Sequence, residues 1–324
     1  MPKWTRRTVL VAGAAGVASL ALPTARSLAA TDELRIGLAH EPPDLDSVSG
    51  SDSATLAIGY QNLFEGLTRL DEHGAVQPNL ATAWTAASDS LAISFTLAAD
   101  VRYHDGTAFD AQHVVFSLKR LLAAGGERAA PYVAIADVAA PDAGTVKLTL
   151  SRPDDKLLYS LALPAAGMVA PESADTNATS PIGTGPFAFV QWDSGQSIML
   201  ERNEDYWGPH PRISQASFAF VADPATAVAA LLNNELDGFP DFPAPEALAP
   251  LRANPGFRLV EGKGPDGQPR TGVWNAKLAG MWADAPVESC VIGGIYWNEP
   301  GGSAPAAPPP PDHQHPDELD DDEN

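Results

Sequence analysis

Ser180-Pro181-Ile182-Gly183-Thr184-Gly185-Pro186-Phe187, continued by Arg202-Asn203-Glu204-Asp205-Tyr206-Trp207-Gly208, is the stretch on which the reading of this 324-residue chain turns. Gly183 and Gly185 open backbone space closed to other residues, and Pro186 fixes the direction in which the chain leaves. Phe187 and Phe189, then Ile198 and Leu200, form two short apolar runs around Asp193-Ser194-Gly195-Gln196, which reads as a hairpin. A dinucleotide site competes for the same glycines, because Gly183-Thr184-Gly185-x-x-Ala188 nearly fits a phosphate-binding fingerprint. That fingerprint needs a helix N-terminus after the turn. Pro186 leads instead into Phe-Ala-Phe-Val, a strand, and Pro265 and Pro269 deny a helix to the similar glycine pattern at 262–267. Both nucleotide readings are rejected.

Working outward, Leu34, Ile36 and Leu38 alternate as a half-buried first strand, followed by the rigid loop Glu41-Pro42-Pro43-Asp44-Leu45-Asp46. Ile58, Leu63, Phe64 and Leu67 recur at helical spacing, which predicts a core helix within 57–70. Leu91, Ile93, Phe95 and Leu97 alternate as a strand, and Asp105-Gly106 is suited to the positive φ of a turn. Asp110 caps a helix whose apolar face is Val114, Val115, Leu118, Leu121 and Leu122, with Phe109 and Val114 at the spacing of a hydrophobic staple. Val146, Leu148 and Leu150 make a further strand, and 157–163 reads as a short helix. Asp223-Pro224 opens another helix, with Val228, Leu231, Leu232 and Leu236 as its buried face and Gly238 as its end.

Taken together, these elements resemble the family 5 extracellular solute-binding proteins, the peptide- and nickel-binding receptors of ABC importers. The carriers are the P-x-G-T-G-P-[FY] turn at 181–187, Asn203-x-x-Tyr206-Trp207-Gly208, and Leu63-Phe64-Glu65-Gly66-Leu67 as [YF]-E-G-L. The block from Leu80-Ala81-x-x-Trp84 through Asp105-Gly106-Thr107 to Val114-Val115-Phe116-Ser117 is the strongest match, and Leu236-Asp237-Gly238 fits a further family element. Pro43-x-Leu45-Asp46 is similar to the family's P-x-x-L-D-P loop, with Ser47 where proline is usual.

The resemblance covers 34–261. It implies an α/β, periplasmic-binding-protein-like fold, comprising a first lobe over 30–262 with an inserted subdomain over 61–179. The segment that opens the second lobe in family members is absent, so that lobe is expected to be largely missing. Residues 262–270 read as a loop and 263–299 as a divergent segment, whose T-G-V…W-N pattern is similar to the family's closing strand. An internal deletion and an out-of-frame tail both account for it.

The ends carry other signals. Residues 1–29 read as a signal peptide: a basic start, an apolar run from Val9 to Leu22, and Ser27-Leu28-Ala29. Thr5-Arg6-Arg7-Thr8-Val9-Leu10 looks like the twin-arginine type, which predicts export to the periplasm or the cell exterior. The basic residues Lys3, Arg6, Arg7 and Arg26 would leave with it, making the remainder more acidic than the whole chain's −21. That charge argues against nucleic acid or an anionic membrane surface as a partner. Cys290 is the single cysteine, so no intrachain disulfide can form. Residues 300–324, a proline run followed by seven acids, have the composition of a disordered tail.

Chemistry is sparse. The seven histidines show no metal pairing, and neither HExxH nor Gly-x-Ser-x-Gly occurs. His104 and His113 are expected to be surface or capping residues, and Trp207 structural. His313-Gln314-His315 reads as a solvated linker. No catalytic residue, metal site or cofactor is nominated. Ser51 and Asp52, after the first loop, are expected to face a ligand. By the family resemblance, Tyr132 stands where nickel-binding relatives place a ligand-facing tryptophan, with plain packing as the alternative. The arginine of those relatives is replaced around Gly167-Met168, which argues against the metal-chelate subgroup. The expected partners are a peptide or small-molecule ligand and the permease subunits of an ABC importer, with the chain acting as a monomer. The competing reading is a defective or repurposed interaction protein that transports nothing; a hydrolase lacks a nucleophile motif.

Overall fold

The computed structural model describes residues 33–48, 52–71, 74–263 and 269–276. The expected signal peptide, Ser51, most of the divergent segment with Cys290, and the acidic tail lie outside the described residues.

Strand β1 (Glu33–Leu38) buries Leu34, Ile36 and Leu38, as its alternation requires. Helix α1 (Ser53–Gly59) follows, then the hairpin β2 (Thr68–Leu70) and β3 (Val76–Pro78). The expected helix over 57–70 therefore stops at Gly59. Gln61 has φ 61°, and the Asn62 side chain donates to the carbonyls of Ala57 and Ile58, which ends the helix and turns the chain. Leu63, Phe64 and Leu67 are buried all the same, so their spacing reported burial rather than helix.

A four-stranded antiparallel sheet comes next, built from β4 (Ala81–Ala86), β5 (Ala92–Leu97), β6 (Ile135–Asp142) and β7 (Thr145–Leu150) in the order β4-β5-β7-β6. Its covering helix α2 (Ala111–Ala124) starts at Asp110, which accepts from Gln112 and His113 backbone N–H groups while His113 Nδ1 accepts from the Asp110 N–H. Such a reciprocal cap contributes about 1 kcal/mol. Val114, Leu118 and Leu121 point inward onto Phe95, Val146 and Leu148, as the helical face predicted. Short helices α3 (Gly126–Ala129) and α4 (Leu157–Ser160) complete this layer.

The remaining chain builds a seven-stranded sheet in the order β12-β13-β11-β1-β10-β9-β8. Its members are β8 (Phe187–Asp193), β9 (Ser197–Arg202), β10 (Gln215–Phe220), β11 (Gly238–Phe239), β12 (Phe257–Lys263) and β13 (Pro269–Asn275). β1 lies parallel to both β10 and β11, and the other pairs are antiparallel. The β8–β9 hairpin is the one read from the sequence. Helix α5 (Pro224–Leu232) begins at the Asp223 cap as expected, but Asn234 at φ 57° ends it rather than Gly238. Its buried face is Ala227, Ala230 and Leu231, while Leu232 is 41% exposed. Gly238 sits in β11, where a Cβ would stand 2.3 Å from the Trp274 ring. Helix α6 (Ala249–Arg252) packs next to β12. The stretch 262–270, expected as loop throughout, gives its ends to β12 and β13, and Thr271–Trp274 enters the sheet beside β11.

Candidate functional site: a buried carboxylate knot and an acidic strand-end rim

Glu65 is the point where the sequence motifs meet. It lies in an apolar run, 2% exposed, and a buried carboxylate needs partners. Tyr206 Oη donates to Oε1 at 2.9 Å, while Trp207 Nε1 at 3.0 Å and Thr184 Oγ1 at 2.9 Å both donate to Oε2. Thus Leu63–Leu67, the glycine turn and the Asn203–Gly208 turn are three arms of one knot. Burial pushes the Glu65 carboxyl up to about 7, against the pull of its hydrogen-bond donors.

The glycine turn is pinned from both sides. A Cβ on Gly183 would stand 1.8 Å from the Leu63 carbonyl oxygen, and one on Gly185 2.2 Å from that of Asn62. Gly185 N–H donates to Leu63 and Phe187 N–H to Asn62. On the other side His104 closes the turn: Gly183 N–H donates to Nδ1 at 3.1 Å, and Nε2–H donates to the Gly185 carbonyl at 3.0 Å. The His104 backbone N–H also reaches the Gly183 carbonyl, at 2.9 Å. These contacts need the neutral ring, and burial holds its pKa down to about 4. The N–H groups of Ile182, Gly183, Gly185 and Phe187 are spent within the protein, which leaves no converging set of donors for a phosphate. His104 is thus a clamp rather than a surface residue, whereas His113 caps α2 as expected.

The second feature follows from strand direction. In a sheet with parallel neighbours, a crevice opens beyond their carboxyl ends. At that edge β1 delivers His40 and Glu41, β8 delivers Trp192, β10 leads to Asp223, β11 leads to Asp241, and β13 carries Arg270 as its second residue. Asp52 joins them, accepting from the Ala54 and Thr55 N–H groups as the cap of α1 while contacting His40 Nε2 at 2.7 Å. Glu41 Oε1 accepts from Trp192 Nε1 at 2.8 Å and both its oxygens accept from Gly195 N–H; these bonds hold its carboxyl below the usual range. Arg270 pairs with Asp241 at 2.5 Å.

The loop behind this rim is anchored to the other layer. Arg120 of α2 forms a two-pronged ion pair with the buried Asp46, and Arg128 donates to the carbonyls of Ser47 and Val48. Tyr132 lies within the four-stranded layer, 1% exposed, its hydroxyl donating to the Ser160 carbonyl at 2.6 Å. Asp52 and Tyr132 are therefore not neighbours in one exposed surface, and Ser51 lies outside the described residues. Glu41, Trp192, Asp241 and Arg270 were not singled out from sequence, because strand direction alone brings them to one edge. For Glu65 the signal was present: a lone acid flanked by Leu63, Phe64 and Leu67 is either a mistake or a partnered buried group.

Among the described residues no group of three His, Cys, Asp or Glu is placed to hold a metal, and no helix is long and apolar enough to cross a membrane. A mixed sheet with its crevice at the parallel strand ends, carrying a second sheet layer between its first and later strands, defines a lobe of a periplasmic-binding-protein-like receptor. The chain belongs to the bacterial extracellular solute-binding proteins, family 5, whose middle-region model matches residues 75–281 and so runs past Glu261 through β13. It is 31% identical over 228 residues to a probable D,D-dipeptide-binding periplasmic protein of Escherichia coli K12, covering 66% of this chain and 44% of that one. It is 28% identical over 256 residues to the glutathione-binding protein of Escherichia coli O1:K1, covering 76% and 49%. Among solved structures it is similar to the binding protein AgaA of A. tumefaciens R10 in complex with agropinic acid, with TM-score 0.66, 29% identity, and 72% and 48% coverage. The chain spans about half the length of the curated relatives it matches.

Proposed function

We propose that this chain is the exported substrate-binding component of an ABC importer for peptides or related small solutes. It would work as a monomer at the periplasmic or extracellular face, sent there by the Arg6-Arg7 signal, and would deliver its ligand to permease subunits. The observation that carries this reading is the strand-end rim on a lobe of a family whose members bind solutes. Binding of this kind needs no chemistry. Among the described residues, the buried Glu65 and Asp46 carboxylates and the enclosed His104 imidazole are committed to internal hydrogen bonds or an ion pair, so the rim acts by shape and charge. Ser51 and Asp52 would contact the ligand at the mouth, and Tyr132 would act from within the second layer by supporting the wall behind them. Acidic groups at the rim favour a ligand carrying a cationic end, such as a peptide's amino terminus.

The described residues present one wall of a cleft. Such a half-site must offset a rigid-body entropy cost of about 4–15 kcal/mol, so affinities near 1 mM, about −4 kcal/mol, are expected. Calorimetry of the full chain against a mixed di- to pentapeptide library measures this. Asp52→Ala should weaken the response severalfold, with unchanged near-UV circular dichroism. No heat at any peptide concentration, or a response indifferent to Asp52→Ala, rejects the reading. Micromolar binding would mean that a second wall is supplied by residues beyond β13.

A further inference from the structure

A second cleft, of 280 Å³, lies at the opposite edge of the seven-stranded sheet, between the β2–β3 hairpin, the start of β8 and the turn carrying Tyr206 and Trp207. Three observations mark it as more than a surface dent. First, its lining holds no carboxylate and one cation, Arg69, although the chain as a whole carries a net charge of −21. Second, its aromatic wall is set in advance. Tyr206 and Trp207 have their polar tips tied to Glu65, and their ring centroids lie 5.8 Å apart at 60°, so ring surface rather than hydroxyl or indole N–H is what they can offer. Four prolines stiffen the remaining wall. Third, Gln61 lines the cleft in a left-handed backbone conformation, φ 61°, and is 7% exposed with no hydrogen-bond partner for its side-chain Nε2 among the described residues. A buried donor left unmatched and a strained backbone at the same residue are both costly, and both concentrate where a ligand completes a site.

We propose that this cleft binds a small carboxylate carrying one apolar group, with Arg69 and Gln61 donating to the carboxylate and the Tyr206–Trp207 wall packing on the apolar group. A guanidinium and a side-chain amide lining one cleft are a donor set matched to a carboxylate. The volume, at the lower end for small-molecule sites, admits one residue-sized group and not a folded chain. A free acid and the carboxyl end of a short peptide share this chemistry. The site is separate from the strand-end rim and stands without it.

The test is calorimetry of the full chain with N-acetyl-L-phenylalanine, its primary amide and Gly-Gly-Phe. The acid should bind at least tenfold more tightly than the amide. Arg69→Gln should erase that preference. Thr82→Trp, which places a bulky ring at an exposed lining position, should abolish binding of the acid without lowering the melting temperature. Asp52→Ala, at the other edge of the sheet, should change none of these. Gly-Gly-Phe binding like the acid assigns the site to peptide carboxyl ends; binding of the acid alone assigns it to free monocarboxylates. Equal binding of acid and amide, no binding of the acid at about 10 mM, or Thr82→Trp binding as the parent does would each overturn the proposal.

Discussion

Glu65 and Glu41 each accept a hydrogen bond from a tryptophan indole, at 3.0 and 2.8 Å, yet their environments drive their carboxyl groups in opposite directions. Glu65 lies in the knot beneath the glycine turn, where burial outweighs its donors and raises the carboxyl to about 7. Glu41 lies at the strand-end rim, where the Gly195 and Trp192 bonds outweigh a smaller desolvation penalty and lower it. The histidines differ in exposure. His104 is enclosed, neutral and spent on backbone groups, while His40 stands 48% exposed beside Asp52. One region uses polar groups to fix a backbone, and the other keeps them where a solute can reach. Partner identity decides less than access to water.

The most severe way to break the knot is through its backbone. Gly183→Ala places a Cβ 1.8 Å from a backbone oxygen that cannot swing aside, and should cost at least about 4 kcal/mol or prevent folding, as read by urea denaturation. Gly195→Ala at the rim side meets nothing within 4 Å but keeps φ +74°, and should cost only about 1 kcal/mol. Equal costs would show that the turn is not held as described.

A finer test uses acid. His104, with its folded pKa depressed to about 4 from 6.5, gives stability that is complete above pH 6.5 and is lost as pH falls toward 4. Glu65, with its folded pKa raised to about 7 from 4.5, gives the reverse: the unfolded chain releases this proton first, so stability falls as pH rises from 4.5 to 7. Each full swing is about 3 kcal/mol. The two offset one another between pH 4.5 and 6.5, where the parent chain should show a nearly flat profile. Glu65→Gln should uncover a rise with pH across that window, and His104→Gln a fall. Parallel profiles for both variants and the parent would remove these groups from the account.

The smallest effect belongs to the rim. Glu41→Gln keeps an acceptor for Trp192 and lies in solvent, so its denaturation midpoint should match the parent's while peptide binding weakens. A lowered midpoint with unchanged binding would make the rim structural and erase the contrast with the knot.

Much of this was legible in the sequence because the signals were local. The Asp110 and Asp223 caps, the β8–β9 hairpin and the alternating strands each depend on neighbours within a few residues, and the structure has them where periodicity and capping put them. Local signals also misled. Leu63, Phe64 and Leu67 have helical spacing but sit in a turn, because a burial pattern records which side chains leave water and not the path the backbone takes. Asn234 took the helix-ending role expected of Gly238, since asparagine tolerates the left-handed region and Gly238 was needed for close approach to Trp274.

By itself the sequence determined an acidic α/β chain, its family motifs, and the glycines without which the turn cannot close. Only the tertiary structure decided that those motifs converge on Glu65, that His104 locks the turn, and that Glu41, Asp52, Asp241 and Arg270 share one edge. The reason is separation along the chain. Glu65 meets Trp207 across 142 positions, and Arg35 meets Asp237 across 202. Such contacts are chosen by strand order and direction, which short-range propensity does not encode.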